Sequence, residues 1–244
     1  LLRIDGKYRI VGGILHHSES TRASKTMSDD SPENRHVTRR GIPTAADWDL
    51  AYREGLPPWE MGCPSPELVA FLDKGLLQKA SVLELGCGTG ADAVFMAQRR
   101  LDVTAVDFAP TAIERARTRA QRAGVNVCFV LDDVFHFAYR TQTFDFIYDC
   151  AFYQYIRQWE LSRLLDLLWR VTKPGSYYLC ITYLGGESLV GIPPVSEDSI
   201  RWELGRLFEI LELKQFNFYS ALRRHDVSGL SVLMQRPLAK GTAH

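Results

Sequence analysis

The sequence has no Cys-x-x-Cys pair, no apolar run long enough to cross a bilayer and no surplus of either charge. Its five cysteines, at 63, 87, 128, 150 and 180, are odd in number and far apart. That usage argues against a disulfide scaffold and a cysteine-based zinc site, so no metal is expected and a reducing, cytoplasmic setting is. Lys+Arg and Asp+Glu number 29 each, which leaves no global basic field to gather nucleic acid or an anionic membrane surface. The start lacks a secretory-signal layout, because Ile10 to Leu15 is short and runs into His16-His17. That histidine pair reads as solvated rather than metal-binding. There is no internal repeat. No nucleic-acid or membrane partner is expected, and the chain is expected to act on a small-molecule substrate as a monomer or weak homo-oligomer.

What remains is an ordinary globular composition, with 46% apolar and 24% charged residues over 244 positions. Ser18 to Arg40 is nearly all polar and cannot bury enough surface to offset its ordering entropy. Residues 1–40 are therefore expected to be a disordered or non-native extension, with Met27 inside it as an alternative start. Residues 41–238 make the domain and 239–244 a tail.

The domain is organised around Val82-Leu83-Glu84-Leu85-Gly86-Cys87-Gly88-Thr89-Gly90. A buried strand runs into three glycines at alternate positions, and an apolar helix-forming run begins at Ala91. A strand, a glycine loop and a helix start make a site for a nucleotide-like ligand at the carboxyl end of a parallel strand. The next strand, Val103 to Val106, ends in Asp107, at an offset suited to a ribose diol. Gly86-x-Gly88-x-x-Ala91 also fits the dinucleotide fingerprint. Glu84 and Thr89-Gly90 tip the balance. E-L-G-C-G-T-G followed by a strand ending in Asp resembles the first two motifs of class I S-adenosylmethionine-dependent methyltransferases. The resemblance implies S-adenosyl-L-methionine as cofactor and S-adenosyl-L-homocysteine as product. It also implies a Rossmann-like α/β sandwich on a mostly parallel seven-stranded sheet with an antiparallel last strand.

Ahead of this stretch, Trp48-x-x-x-Tyr52-x-x-Gly55-x-x-Pro58-Trp59 sets large aromatics around a turn. On physics alone these rings either pack on the domain or form a lid that attracts a sulfonium by cation–π interaction. The spacing resembles the thiol/thiopurine and halide/thiol S-methyltransferase family, which favours the lid. Ser65-Pro66-Glu67 opens a helix with Leu68, Val69, Phe71, Leu72 and Leu76 as its buried stripe. Pro110 to Ala123 is a charged helix stopped by Gly124, its Arg and Glu pairs reading as a solvated face. A strand from Val125 to Leu131 ends in Asp132-Asp133-Val134, where an acid and a neighbouring N–H suit an adenine edge. The family pattern matches Asp133 best, with Val134 beside it and Phe108 following Asp107.

Phe144-Asp145-Phe146-Ile147-Tyr148-Asp149 is the fourth strand, and F-D-x-I-x-D before an aromatic pair again resembles this family. The resemblance places Asp149 near the methyl donor and lets Phe152, Tyr153 or Tyr155 wall the substrate pocket. A helix over about 159–171, a turn at Lys173-Pro174-Gly175 and a strand from Tyr177 to Tyr183 follow. Gly191-Ile192-Pro193-Pro194 precedes a helix over 196–208 and resembles the family segment that covers the substrate. Strands over 210–218 and 229–235 close the sheet as an antiparallel pair.

Methyl transfer from a sulfonium is an in-line displacement with a neutral leaving group, so positioning and water exclusion dominate. A thiolate or halide needs no dedicated base, and His136 and His225 read as loop histidines rather than catalytic ones. Arg224-His225 matches a family Arg-His pair, and the arginine reads either as a group that steadies a bound anion or as a plain surface residue. Cys150, where the thiopurine branch carries arginine, tilts the acceptor toward a small thiol, hydrosulfide or halide. The expected catalytic set is Asp149, Tyr153 and Arg224. The expected cofactor set is Trp48, Tyr52, Trp59, Glu84, Gly86, Gly88, Gly90, Asp107, Phe108, Asp132, Asp133, Val134 and Asp149. Rival readings are a methyltransferase for methionine-type sulfur or selenium and tellurium oxyanions, an NAD-binding oxidoreductase, and a binding module without turnover.

Overall fold

Residues 3–4, 8–11, 14–17, 43–55, 57, 59–184, 195–218 and 227–238 are described by the computed structural model. Near the amino end, β1 (Arg3–Ile4), β2 (Tyr8–Val11) and β3 (Ile14–His17) pair antiparallel in the order β1-β2-β3. The sequence reading expects no packed element here. Gly12-Gly13 between two short apolar runs is nonetheless a hairpin signal, and Val11 pairs with Ile14 across it.

The main sheet is assembled from βα units. Helix α1 (Ala45–Arg53) leads, followed by α2 (Pro66–Asp73), β4 (Ser81–Leu85), α3 (Ala91–Gln98), β5 (Asp102–Asp107), α4 (Pro110–Ala123) and β6 (Cys128–Leu131). Next come β7 (Phe144–Cys150), α5 (Tyr153–Val171), β8 (Thr172–Tyr183), α6 (Glu197–Glu203) with a 3₁₀ turn at Leu204–Arg206, β9 (Glu209–Phe218) and β10 (Val227–Gln235). Seven strands lie in the order β6-β5-β4-β7-β8-β10-β9. Strands β4 to β8 pair in parallel, and β10 runs antiparallel to both β8 and β9. This is the expected α/β sheet, with the expected antiparallel last strand.

Strand parity sorts the core into two layers. Leu83, Leu85, Ile147, Tyr178, Val232 and Met234 face α5 and α6. Val82, Val103, Ala105, Phe146, Tyr148 and Ile181 face α2, α3 and α4. The order of strands reverses between β4 and β7, so the crevice at their carboxyl ends is where this architecture places ligands.

Several local expectations change. Helix α2 ends at Asp73, and Gly75 at φ 70° turns Leu76 out to half exposure instead of into the stripe. β6 starts at Cys128 rather than 125, because the Val125 N–H is used to cap α4 on the Ala120 carbonyl beyond left-handed Gly124. Helix α5 starts at Tyr153, six residues early, and bends at Glu160 (φ −131°, ψ 28°). Lys173-Pro174-Gly175 stays in β8 as an irregularity between Phe144 and Phe146 of β7 instead of forming a turn. The helix expected over 196–208 shortens to α6 and the 3₁₀ turn. Among the described residues, no helix is long and apolar enough to cross a membrane.

Candidate cofactor and substrate site

The three glycines all take left-handed backbone, with φ 68° at Gly86, 51° at Gly88 and 73° at Gly90. The loop turns back on β5, since the Gly86 and Cys87 N–H groups both donate to the Val106 carbonyl, at 2.9 and 3.1 Å. A Cβ on Gly86 would lie 2.9 Å from Phe152, one on Gly88 2.9 Å from the Tyr52 hydroxyl and one on Gly90 2.8 Å from Ala116. Each glycine therefore admits a different neighbour. Only Gly86 among them lines the cavity above the loop; Gly88 lies under Tyr52, and Gly90 lets α3 and α4 approach.

Asp107 secures the loop from the next strand. One carboxylate oxygen accepts the Gly88 N–H and the other the Ala109 N–H, both at 2.9 Å. Burial pushes its pKa upward, although those N–H donors act against the rise. The 107–109 turn also carries Phe108. Asp132 follows on β6, its Oδ1 accepting the Asp133 N–H at 2.8 Å, and Asp133 accepts from the Phe135 N–H at 2.9 Å. The side chains of Asp107, Phe108, Asp132, Asp133 and Val134 thus converge on one cavity of about 560 Å³.

Its opposite wall comes from α1. Thr44 caps this helix in a reciprocal box with Asp47, fixing where the helix begins. Trp48 stands edge-on to Trp59 (5.1 Å between centroids) and to Tyr155 (4.7 Å). The Trp59 indole N–H donates to the Tyr52 hydroxyl at 3.2 Å. All four rings line the cavity. They supply the electron-rich surface that a cation prefers.

Two expected catalytic groups are elsewhere. Asp149 has the same strand parity as Ile147 and points into the α5 layer, fully buried. Its oxygens accept from the Tyr178 hydroxyl at 2.6 Å and from the Phe152 and Tyr153 N–H groups at 3.1 and 3.0 Å. It holds the β7–α5 junction and does not line the cavity. The Tyr153 ring is likewise buried, its hydroxyl donating to Glu203 at 2.6 Å, with Arg157 paired to the same carboxylate. Phe152 and Tyr155 are the family aromatics that line the cavity; Tyr153 is not. Arg224, His225 and the Gly191–Pro194 segment lie outside the described residues. His136 is exposed on the turn after β6.

Glu84 is the buried outlier. Parity turns it toward α3, where it is 4% exposed and its Oε2 has no hydrogen-bond partner. Burial, then the nearby Asp92 and Asp107 carboxylates, hold its pKa well above the usual carboxylate range. A buried acceptor beneath the loop, surrounded by further acids, is a fit for a cationic group. Asp92 beside it accepts from the Ser65 N–H at 2.7 Å and the Tyr148 hydroxyl at 2.8 Å, and burial raises its pKa to about 6. That shift carries a sign. A carboxyl with a raised folded pKa binds its proton more tightly in the folded state, so its contribution to stability falls as pH climbs from about 4 to 6. Asp92→Asn, neutral throughout, should flatten the stability slope of the cofactor-free protein by up to about 1.4 kcal/mol per pH unit in that window. Urea unfolding at pH 4.5, 5.5 and 6.5 measures this; an unchanged slope removes Asp92 as the titrating group.

Residues 82–175 match the family model described as a methyltransferase domain. The chain is 27% identical over 168 residues to the 2-heptyl-1-hydroxyquinolin-4(1H)-one methyltransferase of Mycobacteroides abscessus, covering 67% of this chain and 74% of that one. It is 29% identical over 156 residues to a probable thiol methyltransferase 2 of Arabidopsis thaliana, covering 62% and 67%. The matched residues form a class I S-adenosylmethionine-dependent methyltransferase domain. A solved structure described under the conversion of a disulfide bond into a thioacetal group during echinomycin biosynthesis has the same fold. It superposes with a TM-score of 0.70 at 24% identity over 82% of this chain and 95% of the other. S-adenosylmethionine is the methyltransferase's cofactor; the Asp107 carboxylate on the cavity wall is the kind of acceptor its diol needs, while the orphaned Glu84 oxygen lies beneath the loop and does not line the cavity.

Some lining residues of the methyltransferase were not legible as site residues. Phe135, Glu160 and Arg163 form the rim, with the Arg163 guanidinium 4.4 Å over the Phe135 ring and 3.4 Å from Glu160. Phe152, Tyr155, Ile156, Glu160 and Arg163 fall at helical spacing, a signal hidden when α5 is started at 159. Ala151, a non-glycine at φ 67°, also lines the cavity and aims Phe152 onto Gly86.

Proposed function

We propose that this methyltransferase moves a methyl group to the sulfur of a small thiol, with hydrosulfide and halide as neighbouring acceptors. One observation carries the reading. Among the described residues lining the cavity there is no histidine and no lysine, and Glu160, the carboxylate on the α5 wall, is paired with Arg163 at 3.4 Å, which disfavours it as a base. Burial, with Asp92 and Asp149 nearby, pushes the Cys150 thiol well above the ordinary range, so it lines the cavity as a neutral group. An acceptor that arrives already ionised suits such a pocket. The similarity to a probable thiol methyltransferase supports it.

In this reading Asp107 accepts from the ribose hydroxyls, and Asp132, Asp133 and Val134 meet the adenine edge beside Phe108. Glu84 answers the ammonium through the glycine loop. Trp48, Trp59 and Tyr155 shield the cationic sulfur and exclude water. When bound, S-adenosylmethionine supplies a methyl group on a sulfonium, which leaves as a neutral thioether. The acceptor's proton is lost to solvent beforehand, one C–S bond forms as another breaks, and the two charges cancel.

A second reading follows from the cavity of about 560 Å³ with aromatic walls. The cofactor takes part of that volume, the aromatic walls suit a planar acceptor beside it, and the Mycobacteroides relative is named for a hydroxyquinolone. An acidic N-hydroxy heteroaromatic would also arrive ionised.

A turnover screen separates these, following S-adenosylhomocysteine with small thiols, hydrosulfide, iodide, an N-hydroxyquinolone, methionine and selenium and tellurium oxyanions. The expected result is turnover with thiols whose kcat/KM climbs about tenfold per pH unit up to the thiol's own pKa, and tracks that pKa across a thiol series. A profile that stays fixed while the thiol pKa is varied would point to a protein base and overturn the reading.

A further inference from the structure

We propose that Arg115 and Arg119 are positioning residues for the reaction, fastening the aromatic segment and the glycine loop to one helix. They stand one turn apart on α4 and face the same way. The Arg115 guanidinium donates to the Tyr52 and Gly55 carbonyls, at 2.7 Å each. The Arg119 guanidinium donates to the Gly62 carbonyl at 2.9 Å, the Thr89 carbonyl at 3.0 Å and the Thr89 hydroxyl at 3.1 Å. Five bonds from two planar forks thus span segment 52–62 and the cofactor loop.

The geometry around them makes the arrangement one body. At the start of α4, the Thr111 N–H donates to Asp49 of α1 at 2.8 Å. The Tyr52 hydroxyl lies where a Gly88 side chain would be and takes the Trp59 N–H. Ala116, between the two arginines, is the contact for Gly90. Lid and loop therefore share a single support, and Arg119 is the side chain that touches both. The expectation that α4 presents a plain solvated face holds for Glu114 and Arg122, holds for exposed Arg117 apart from one bond to the Phe129 carbonyl at 3.3 Å, and fails for these two half-buried arginines. The Tyr52 carbonyl, in the last turn of α1, carries the negative end of that helix's dipole, which suits a cationic donor even though it also accepts the Gly55 N–H at 3.3 Å. Lysine cannot reproduce a planar fork with several fixed donors.

The test compares Arg115→Gln, Arg119→Gln and Arg119→Lys, with Arg117→Gln as a control from the exposed face of the same helix. S-adenosylhomocysteine affinity is read by titration calorimetry. The lid is read by fluorine NMR of protein carrying 5-fluorotryptophan, with Trp48 and Trp59 assigned by substitution. The expected result is a dissociation constant raised about tenfold or more in Arg119→Gln, from loss of bonds to a charged donor, and less in Arg115→Gln. The Trp48 and Trp59 resonances should shift or broaden while those of Trp159, Trp169 and Trp202 stay in place, and Arg117→Gln should match wild type. Arg119→Lys should recover less than half of the lost binding energy. It also serves should Arg119→Gln not fold. Three results would overturn the proposal: affinity within twofold of wild type with unmoved lid resonances, full rescue by lysine, or equal shifts of all five tryptophans with affinity falling only in step with thermal stability.

Discussion

Replacing Asp107 by Ala is expected to raise the dissociation constant for S-adenosylmethionine by about 100-fold or more, on a scale of ~1.5–3 kcal/mol for each charge-assisted hydrogen bond removed. The carboxylate joins Gly88 to Ala109 from below, and its exposed edge lines the cavity. Its loss frees the middle of the glycine loop and withdraws the ribose acceptor together. Asp107→Asn separates the two roles. Asparagine keeps one acceptor but sets an N–H donor against either the Gly88 or the Ala109 N–H, so the loop should suffer nearly as much as in the alanine variant. Titration with S-adenosylmethionine and S-adenosylhomocysteine measures both. An affinity unchanged in Asp107→Ala would remove this residue from the cofactor site and leave Asp132 and Asp133 as the acids to test.

Asp149 should behave in the opposite way, with a large effect on folding and a small one on turnover. Asp149→Ala leaves the Tyr178 hydroxyl and two backbone N–H groups without their acceptor in a fully buried place. A loss of about 3–5 kcal/mol follows, since each stranded donor costs about 1–3 kcal/mol. Asp149→Asn keeps an acceptor for the two N–H groups, and the Tyr178 hydroxyl can turn to accept from the amide. Burial already raises the Asp149 pKa to about 6, so a neutral side chain is a modest change there. Urea unfolding with steady-state kinetics of both variants decides the role. A folded Asp149→Asn protein whose kcat drops by about 100-fold, ~2.7 kcal/mol of transition-state stabilisation, would restore Asp149 to the reacting centre.

Asp107 and Asp149 also show which parts of the site the sequence can reveal. The place of Asp107 on the cavity was legible because it is local: a carboxylate closing a strand, beside a glycine loop whose φ angles few other residues accept. That Trp48, Tyr52 and Trp59 gather on one cavity was legible through their spacing. Asp149 was misjudged because chain position says which strand end a residue occupies, not which face of the sheet it takes. Its parity with Ile147 held that information, yet the resemblance to a family motif outweighed it. Tyr153 failed for a related reason: Phe152 to Ile156 is rich in aromatic and β-branched residues, an extended-type composition, and packing makes it the first turns of α5. Arg115 and Arg119 were hidden because arginines at helical spacing look alike whether they face solvent or distant carbonyls. Those carbonyls lie 63 and 57 residues away, at Tyr52 and Gly62.

That separation has a consequence for how the protein is made. During synthesis α1 emerges well before α4, and a helix of nine residues is too short to persist alone in water. Its supports on Thr111 and Arg115 lie about 60 residues downstream, and ribosomes add roughly 5–20 residues per second. For several seconds the segment that will roof the cofactor has nothing to rest on. A complete cavity therefore arrives late and abruptly in the life of the nascent chain, once the elements from β4 through the start of α5 have docked, rather than growing with each added strand.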